Sequence, residues 1–325
     1  MSIPAIQLVL QTVVLLSAFL NAVIIVAILK YRRTNPFLKG SFFTLLLYHA
    51  SADLLLALEF AVLMRGRKYG YLNCVLYDGS PLWLVLPRFT NCLHYYLKAV
   101  LYNGHILLSF NRFTSAFFPL NYESFWSSQR MLFVRVIAWL LPWCFVLPVV
   151  LNFSYKMWYT VSPSGTIRLE SDDFSTQLQS FIDGSLSLVA TVVCLVFYGL
   201  TGFSISRQLM KRGMQMNYCV EIRLFVSSFT IFLLLTLNTV CQVWTIVAAK
   251  AGDEVVVMSL NDLSYPVVDT MYSASPWILI ATSSAVRDAV ARLIVPKRLC
   301  KKKIRVMLSV TSRLSVSSMQ MESLR

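Results

Sequence analysis

Seven long apolar stretches divide the chain, and the segments between them alternate in charge. The stretches are 5–29, 42–63, 89–110, 131–151, 181–205, 224–249 and 266–286. Each is close to the ~20 residues that cross a hydrocarbon core about 30 Å thick. Lipid offers no partner to a free backbone N–H or C=O, so such segments fold as helices. Of the 325 residues, 57% are hydrophobic and only 14% are charged, too few charges to cover a soluble surface. The expected fold is an all-α membrane protein, a seven-transmembrane helix bundle.

The net charge of +14 would suggest nucleic acid if its location were ignored. Sorted by segment, the Lys and Arg excess falls on connections 30–41, 111–130 and 206–223 and on the tail, whereas 64–88, 152–180 and 250–265 balance. By the positive-inside rule the first set faces the cytoplasm. Residues 1–29 carry no charged side chain, and Lys30, Arg32 and Arg33 follow at once, which places the N-terminus outside and the C-terminus in the cytoplasm. With no basic stretch ahead of it, the first span reads as a retained anchor. Arg65, Arg67 and Lys68 are the exception, a basic cluster on the expected outer side.

The seven Cys make no metal-binding spacing and the three His are scattered, so no metal or cofactor is expected. Cys74 and Cys92 are the two thiols near the expected outer surface, as a disulfide or as free thiols. No Walker loop or nucleophile constellation appears, and no enzyme is expected. No repeated halves are visible, and the helices read as uninterrupted.

The bundle is expected to fill residues 1–296, with a basic, Ser-rich cytoplasmic tail at 297–325. Val286, Val290, Leu293 and Ile294 recur at helical spacing opposite Arg287, Asp288 and Arg292, and Pro296 ends the pattern. This predicts a short amphipathic helix after span seven. Cys300, between that helix and Lys301-Lys302-Lys303, is placed for palmitoylation or is a free thiol. The Asn152-Phe153-Ser154 sequon abuts span four.

Charged groups within spans are costly and mark functional candidates. Lys98 lies deep in span three, too far in for easy snorkelling. An unpaired ammonium there would shed its proton, so it needs a partner. Asp269 and Glu59 are the candidates, with a Lys98–Asp269 pair expected. His94 and Tyr95, one turn away, share that face. The group reads as a structural ion pair, or as a site where a ligand carboxylate or carbonyl competes for Lys98.

The inner end of span three reads Asn111-Arg112-Phe113-Thr114-Ser115-Ala116-Phe117-Phe118-Pro119-Leu120-Asn121-Tyr122-Glu123-Ser124-Phe125-Trp126. In this loop the chain resembles the nematode serpentine chemoreceptors, most closely the class gamma family. Asn35-Pro36-Phe37 and Ser41-Phe42-Phe43 add to the likeness. The resemblance implies a G-protein-coupled receptor for environmental chemicals, in the plasma membrane of sensory neurons and their cilia. Its partners would be a small-molecule ligand, a heterotrimeric G protein and membrane lipid, with no nucleic acid. Asn111, Arg112, Arg207, Lys211 and Arg212 would then face the G protein, with Met210, Met214 and Met216 as adaptable apolar contacts.

The likeness to rhodopsin-like receptors is looser. Asn21, Asp53, Arg112 and Pro276 fall where those receptors carry the same residue types, which implies a sodium or switch site at Asp53 with Asn21, Thr282 and Ser283. A protonated Asp53 bonded to its neighbours is the other reading. Asn111 stands where those receptors carry an acid, and Ser275-Pro276-Trp277 departs from their span-seven pattern. A transporter or channel using Lys98, Asp53, Glu59 and Asp269 along a pathway is the alternative function.

Overall fold

Side-chain caps set where the longest helices begin. The computed structural model describes residues 5–152, 154–162, 165–212 and 216–294. Helix α1 is Ala5–Tyr31, α2 is Ser41–Glu59 and α3 is Pro81–Phe117. Helix α4 has two segments, Ser128–Leu140 and Trp143–Leu151. Helices α5 (Asp173–Arg212), α6 (Met216–Lys250), α7 (Glu254–Thr282) and α8 (Ser284–Ile294) follow. Strands β1 (Met157–Val161) and β2 (Ile167–Ser171) pair antiparallel, Tyr159 opposite Leu169. The Ser80 hydroxyl accepts from the Trp83 N–H, and Pro81 fills the first helical position, where no N–H is needed. The Asp172 and Asp253 carboxylates cap α5 and α7 by accepting from Ser175 and Val256. Those bonds from Ser175 hold the Asp172 carboxyl below the usual carboxylate range.

These caps make several helices longer than the apolar stretches. Span three was expected at 89–110 and is Pro81–Phe117; span five was expected at 181–205 and is Asp173–Arg212. The connection expected at 250–265 is mostly helix, since α7 starts at Glu254. Apolarity reports where lipid ends, whereas backbone hydrogen bonding continues to the next cap. Among the described residues, five helical stretches are long and apolar enough to cross a membrane: Leu8–Tyr31, Ser41–Arg65, Ser128–Leu151, Phe174–Gln208 and Ile222–Ala248. Helices α3 and α7 are long but more polar, and among their described charged side chains Lys98, Arg112 and Asp269 are buried.

The helices close into a ring. α1 packs between α2 and α7, α7 on α6, α6 on α5, and α5 on α3. α3 is the central helix, touching α2, α4, α5 and α6. Tyr48 of α2 ties three helices by donating to the Val100 carbonyl (3.0 Å) and sharing the Ala138 carbonyl (3.2 Å). Trp277 of α7 donates to Ser17 of α1 at 2.9 Å. α4 is the most peripheral: Leu132, Phe133, Val136 and Leu140 are exposed, a lipid-facing surface.

Two helices are interrupted, contrary to expectation. α4 breaks at Leu141–Pro142, where proline removes an N–H from the helical ladder. α2 continues as a π turn over Phe60–Arg65, which resets the angular phase of its side chains. Phe60, Ala61 and Arg65 of that turn are buried.

The hairpin covers one end of the bundle. Tyr159 and Ile167 pack with Leu76, and the Tyr159 ring lies 5.4 Å from that of Trp83 on α3. The other end is closed by α8, the expected amphipathic helix. Val286, Ala289 and Val290 are buried against the core, where α8 packs on α1 and α7, while Ile294, expected on that face, is 66% exposed. Arg287 donates to the Ile280 and Ala281 carbonyls, both at 2.7 Å, which satisfies orphan carbonyls at the end of α7. Cys300, Met214 and the tail 297–325 lie outside the described residues.

Candidate functional site

Buried polar side chains gather at three places along α3. Near the hairpin end, α3 presents His94, Tyr95, Lys98 and Tyr102 at helical spacing. Lys98, 4% exposed, is ion-paired with Asp183 of α5. The Tyr102 hydroxyl donates to the other oxygen of Asp183 at 3.0 Å, and Asn238 of α6 reaches Tyr102 at 3.5 Å. His94 pairs through Nδ1 with Glu59 of α2 at 2.9 Å. Asp269 of α7 is ion-paired with Arg65 from the π turn. Tyr272, one turn along from Asp269, is 3% exposed, and its hydroxyl lies within electrostatic reach of Glu59, Asp183, Asp53 and Asp269.

The expected Lys98–Asp269 pair is therefore not formed. Each partner is taken by a nearer group, and both resulting pairs are buried. Charges in low dielectric are held only when paired, so these contacts fix which helices can be neighbours. Tyr95 sits beside this group, with Lys98 5.8 Å from its ring centre and its hydroxyl donating to Gln179 at 3.3 Å. Gln179 in turn donates to Tyr155 below the hairpin.

Asp183 and Arg65 are the residues sequence reasoning missed. Asp183 stood two residues inside the expected start of span five, and Lys98 nine inside span three, so their depths did not match. Both helices start well ahead of their apolar stretches, at Pro81 and Asp173, so the pair is made by the offset at which α5 packs on α3, which the sequence does not show. Arg65 and Arg67 formed the basic exception on the outer side. Both are buried: Arg65 holds Asp269, and the Arg67 guanidinium lies 5.6 Å from the Tyr159 ring centre.

Midway along the bundle, Asp53 is buried with His49 one turn away, 3.6 Å apart, and Ser275 of α7 beside it. The His49 ring packs edge-on against His105 of α3, centroids 4.6 Å apart. Asn21 donates instead to the Ala50 carbonyl at 2.9 Å. Thr282 donates to the Ile278 carbonyl, and Ser283 accepts from Val286 at the start of α8. The expected grouping of Thr282 and Ser283 with Asp53 is not formed, because both serve the ends of their own helices.

At the α8 end, Asn111 and Arg112 are buried. Asn111 donates to Ser41 at 3.3 Å and accepts from Tyr122 at 3.1 Å and from Arg112 at 3.0 Å. Ser41 also donates to Tyr122. The Arg112 guanidinium lies 4.0 Å from the Phe42 ring centre. Trp126 donates to Thr114 at 2.8 Å. A cavity of about 50 Å³ lies beside Arg112, lined by Ala116, Thr201, Ile205, Gln208 and Phe225 among others. Gln208 bridges α5 to α3 by donating to the Ala116 carbonyl at 3.1 Å. Arg207 and Met210 are exposed. Lys211 and Arg212 end α5, but their side chains, like that of Met216, lie outside the described residues.

The seven-helix bundle, the short eighth helix and the paired charges within the spans define a multi-pass helical membrane protein. Residues 9–295 match the family described as "Serpentine type 7TM GPCR chemoreceptor Srv", and the chain belongs to that family. It is also similar to "Serpentine receptor class V-1" of Caenorhabditis elegans, 21% identical over 279 residues, 83% of this chain and 84% of the relative. The expectation of a serpentine chemoreceptor is met. The class carried by the family and the relative is V, where the loop motif suggested gamma.

Proposed function

We propose that the protein is a chemosensory G-protein-coupled receptor of the plasma membrane in sensory neurons and their cilia, with the hairpin end outside and the α8 end in the cytoplasm. Class V is the assignment we adopt; gamma rests on the loop motif alone. A small molecule binds among α2, α3, α5, α6 and α7 beside Lys98, His94, Tyr95, Glu59 and Asp269. Asn111 and Arg112, with Arg207, Lys211 and Arg212, form the face that meets a heterotrimeric G protein.

The observation that carries this reading is that one helix bears both polar groups. α3 holds the acid–base cluster at the hairpin end and Arg112 at the other, so a shift at one end is transmitted along a single rigid rod. A ligand acts only through its differential affinity for the two arrangements. Around Arg112 the α3, α5 and α6 helices lie close, and parting them would open that cavity to a G protein. The burial of Arg65 and Arg67 supports the orientation, since it removes two exceptions to the positive-inside pattern. A transporter or channel pathway finds no such support: Lys98, Asp53, Glu59 and Asp269 each sit against a partner on a neighbouring helix or turn.

Reconstitution with G protein tests the reading. Ligand-driven nucleotide exchange without substrate flux is expected, and flux without exchange would sink it. A C-terminal epitope should bind antibody only after the cells are permeabilised.

A further inference from the structure

The hairpin-end cluster has unmet hydrogen-bonding capacity of one kind. Glu59 Oε1, Asp269 Oδ1 and Asn238 Oδ1 are buried and unpartnered, and all three are pure acceptors. They come from three helices, α2, α7 and α6. The Tyr272 hydroxyl, also unpartnered, lies within electrostatic reach of Glu59 and Asp269 and of Tyr102, to which Asn238 donates. The permanent cations here are already engaged, Lys98 with Asp183 and Arg65 with Asp269. The remaining free donor of Arg65, Nη1, belongs to a guanidinium whose charge is met.

The charges lean the same way. Glu59, Asp183 and Asp269 face two permanent cations, Lys98 and Arg65, and His94 supplies a third only when protonated. Buried acceptors left unmet cost free energy, and more when they carry charge. A guest with several N–H donors and a positive charge would meet both deficits. A carboxylate guest would have to displace Asp183 from Lys98 and would add a further negative charge. The sequence alone offers a carboxylate or carbonyl guest as one of two readings, beside a structural ion pair, because Lys98 is the prominent feature there.

We propose that the cluster around Tyr272 binds a protonated primary amine, its N–H groups shared among Glu59, Asp269, Asn238 and the Tyr272 hydroxyl oxygen, with the Tyr272 ring against its carbon chain. This rests on the receptor reading for its biological meaning, but the binding itself is measured without a G protein.

The probes are the straight-chain primary amines from butylamine to octylamine, with the alcohol and carboxylate of each chain length as controls. Thermal unfolding of the purified full-length protein in lipid nanodiscs reads binding. Amines should raise the unfolding temperature, and the matched alcohols and carboxylates should not. Tyr272→Phe keeps the ring and should weaken amine binding roughly tenfold; Glu59→Gln should weaken it roughly tenfold to a hundredfold, as for hydrogen bonds to charged groups. If Glu59→Gln does not fold, Tyr272→Phe and Asn238→Leu carry the test. No shift with any amine, or an equal shift with the controls or in the variants, overturns the proposal. Amine binding without nucleotide exchange sinks the receptor reading and leaves this site standing. Exchange driven by carboxylates or alcohols does the reverse.

Discussion

The Arg112 guanidinium lies 4.0 Å from the centre of the Phe42 ring, a cation–π contact between α3 and the first turn of α2. Phe42 and Arg112 belong to two of the three sequence stretches that resemble serpentine chemoreceptors, Ser41-Phe42-Phe43 and 111–126. In space those stretches are one unit, joined through Ser41, Tyr122 and Asn111.

Arg112→Ala should therefore reduce G-protein nucleotide exchange while ligand binding survives. Phe42→Leu removes only the ring face, a loss of about 0.5–2 kcal/mol for a partly desolvated contact. Exchange rates and ligand affinity, measured on the same preparations, separate the two. Unchanged exchange in Arg112→Ala would remove this residue from coupling.

The Lys98–Asp183 pair should behave as a buried ion pair. Lys98→Met or Asp183→Asn alone should cost about 3–5 kcal/mol, because each leaves an uncompensated group. Exchanging the charges, Lys98→Asp with Asp183→Lys, should recover part of the surface expression lost in either single variant. Lys98→Asp with Asp269→Lys should not. Recovery in the second exchange and not the first would mean that α3 faces α7 here instead of α5.

Gly104 leaves room for His49 between α2 and α3. A Cβ at this position would lie 2.6 Å from His49 Nδ1. Gly104→Ala should destabilise by about 1–3 kcal/mol, as overpacking does. The penalty should shrink in a His49→Ala background, and a thermal-unfolding double-mutant cycle would show it. Additive effects would place the clash elsewhere.

Trp126→Phe keeps a ring in the core and removes the N–H that meets Thr114. The expected loss is about 0.5–1.5 kcal/mol. Thr114→Val should add little on top of it, and chemical unfolding of the single and double variants checks this.

The helical layout was legible because burial in lipid forces a long apolar run, and because Pro296 and the spacing of Val286 and Val290 marked α8. The helix ends were less so. Ser80, Asp172 and Asp253 cap helices that run beyond the apolar stretches, and a cap is a local hydrogen bond that hydropathy does not register. The π turn at Phe60–Arg65 left no sequence mark at all, and it carries the residue that claims Asp269.

Hydropathy by itself determined that this chain is a membrane bundle and that Lys98, Asp53, Glu59 and Asp269 lie inside it, since each stands out against an apolar background; it left Arg65 and Arg67 outside, where the structure buries them. Only the tertiary structure decided who pairs with whom. Partner choice depends on the depth and rotation of two helices at once, and a one-dimensional string fixes neither. Lys98 met Asp183 in place of Asp269 for that reason, and the unmet acceptors around Tyr272 became visible only when three helices were seen together.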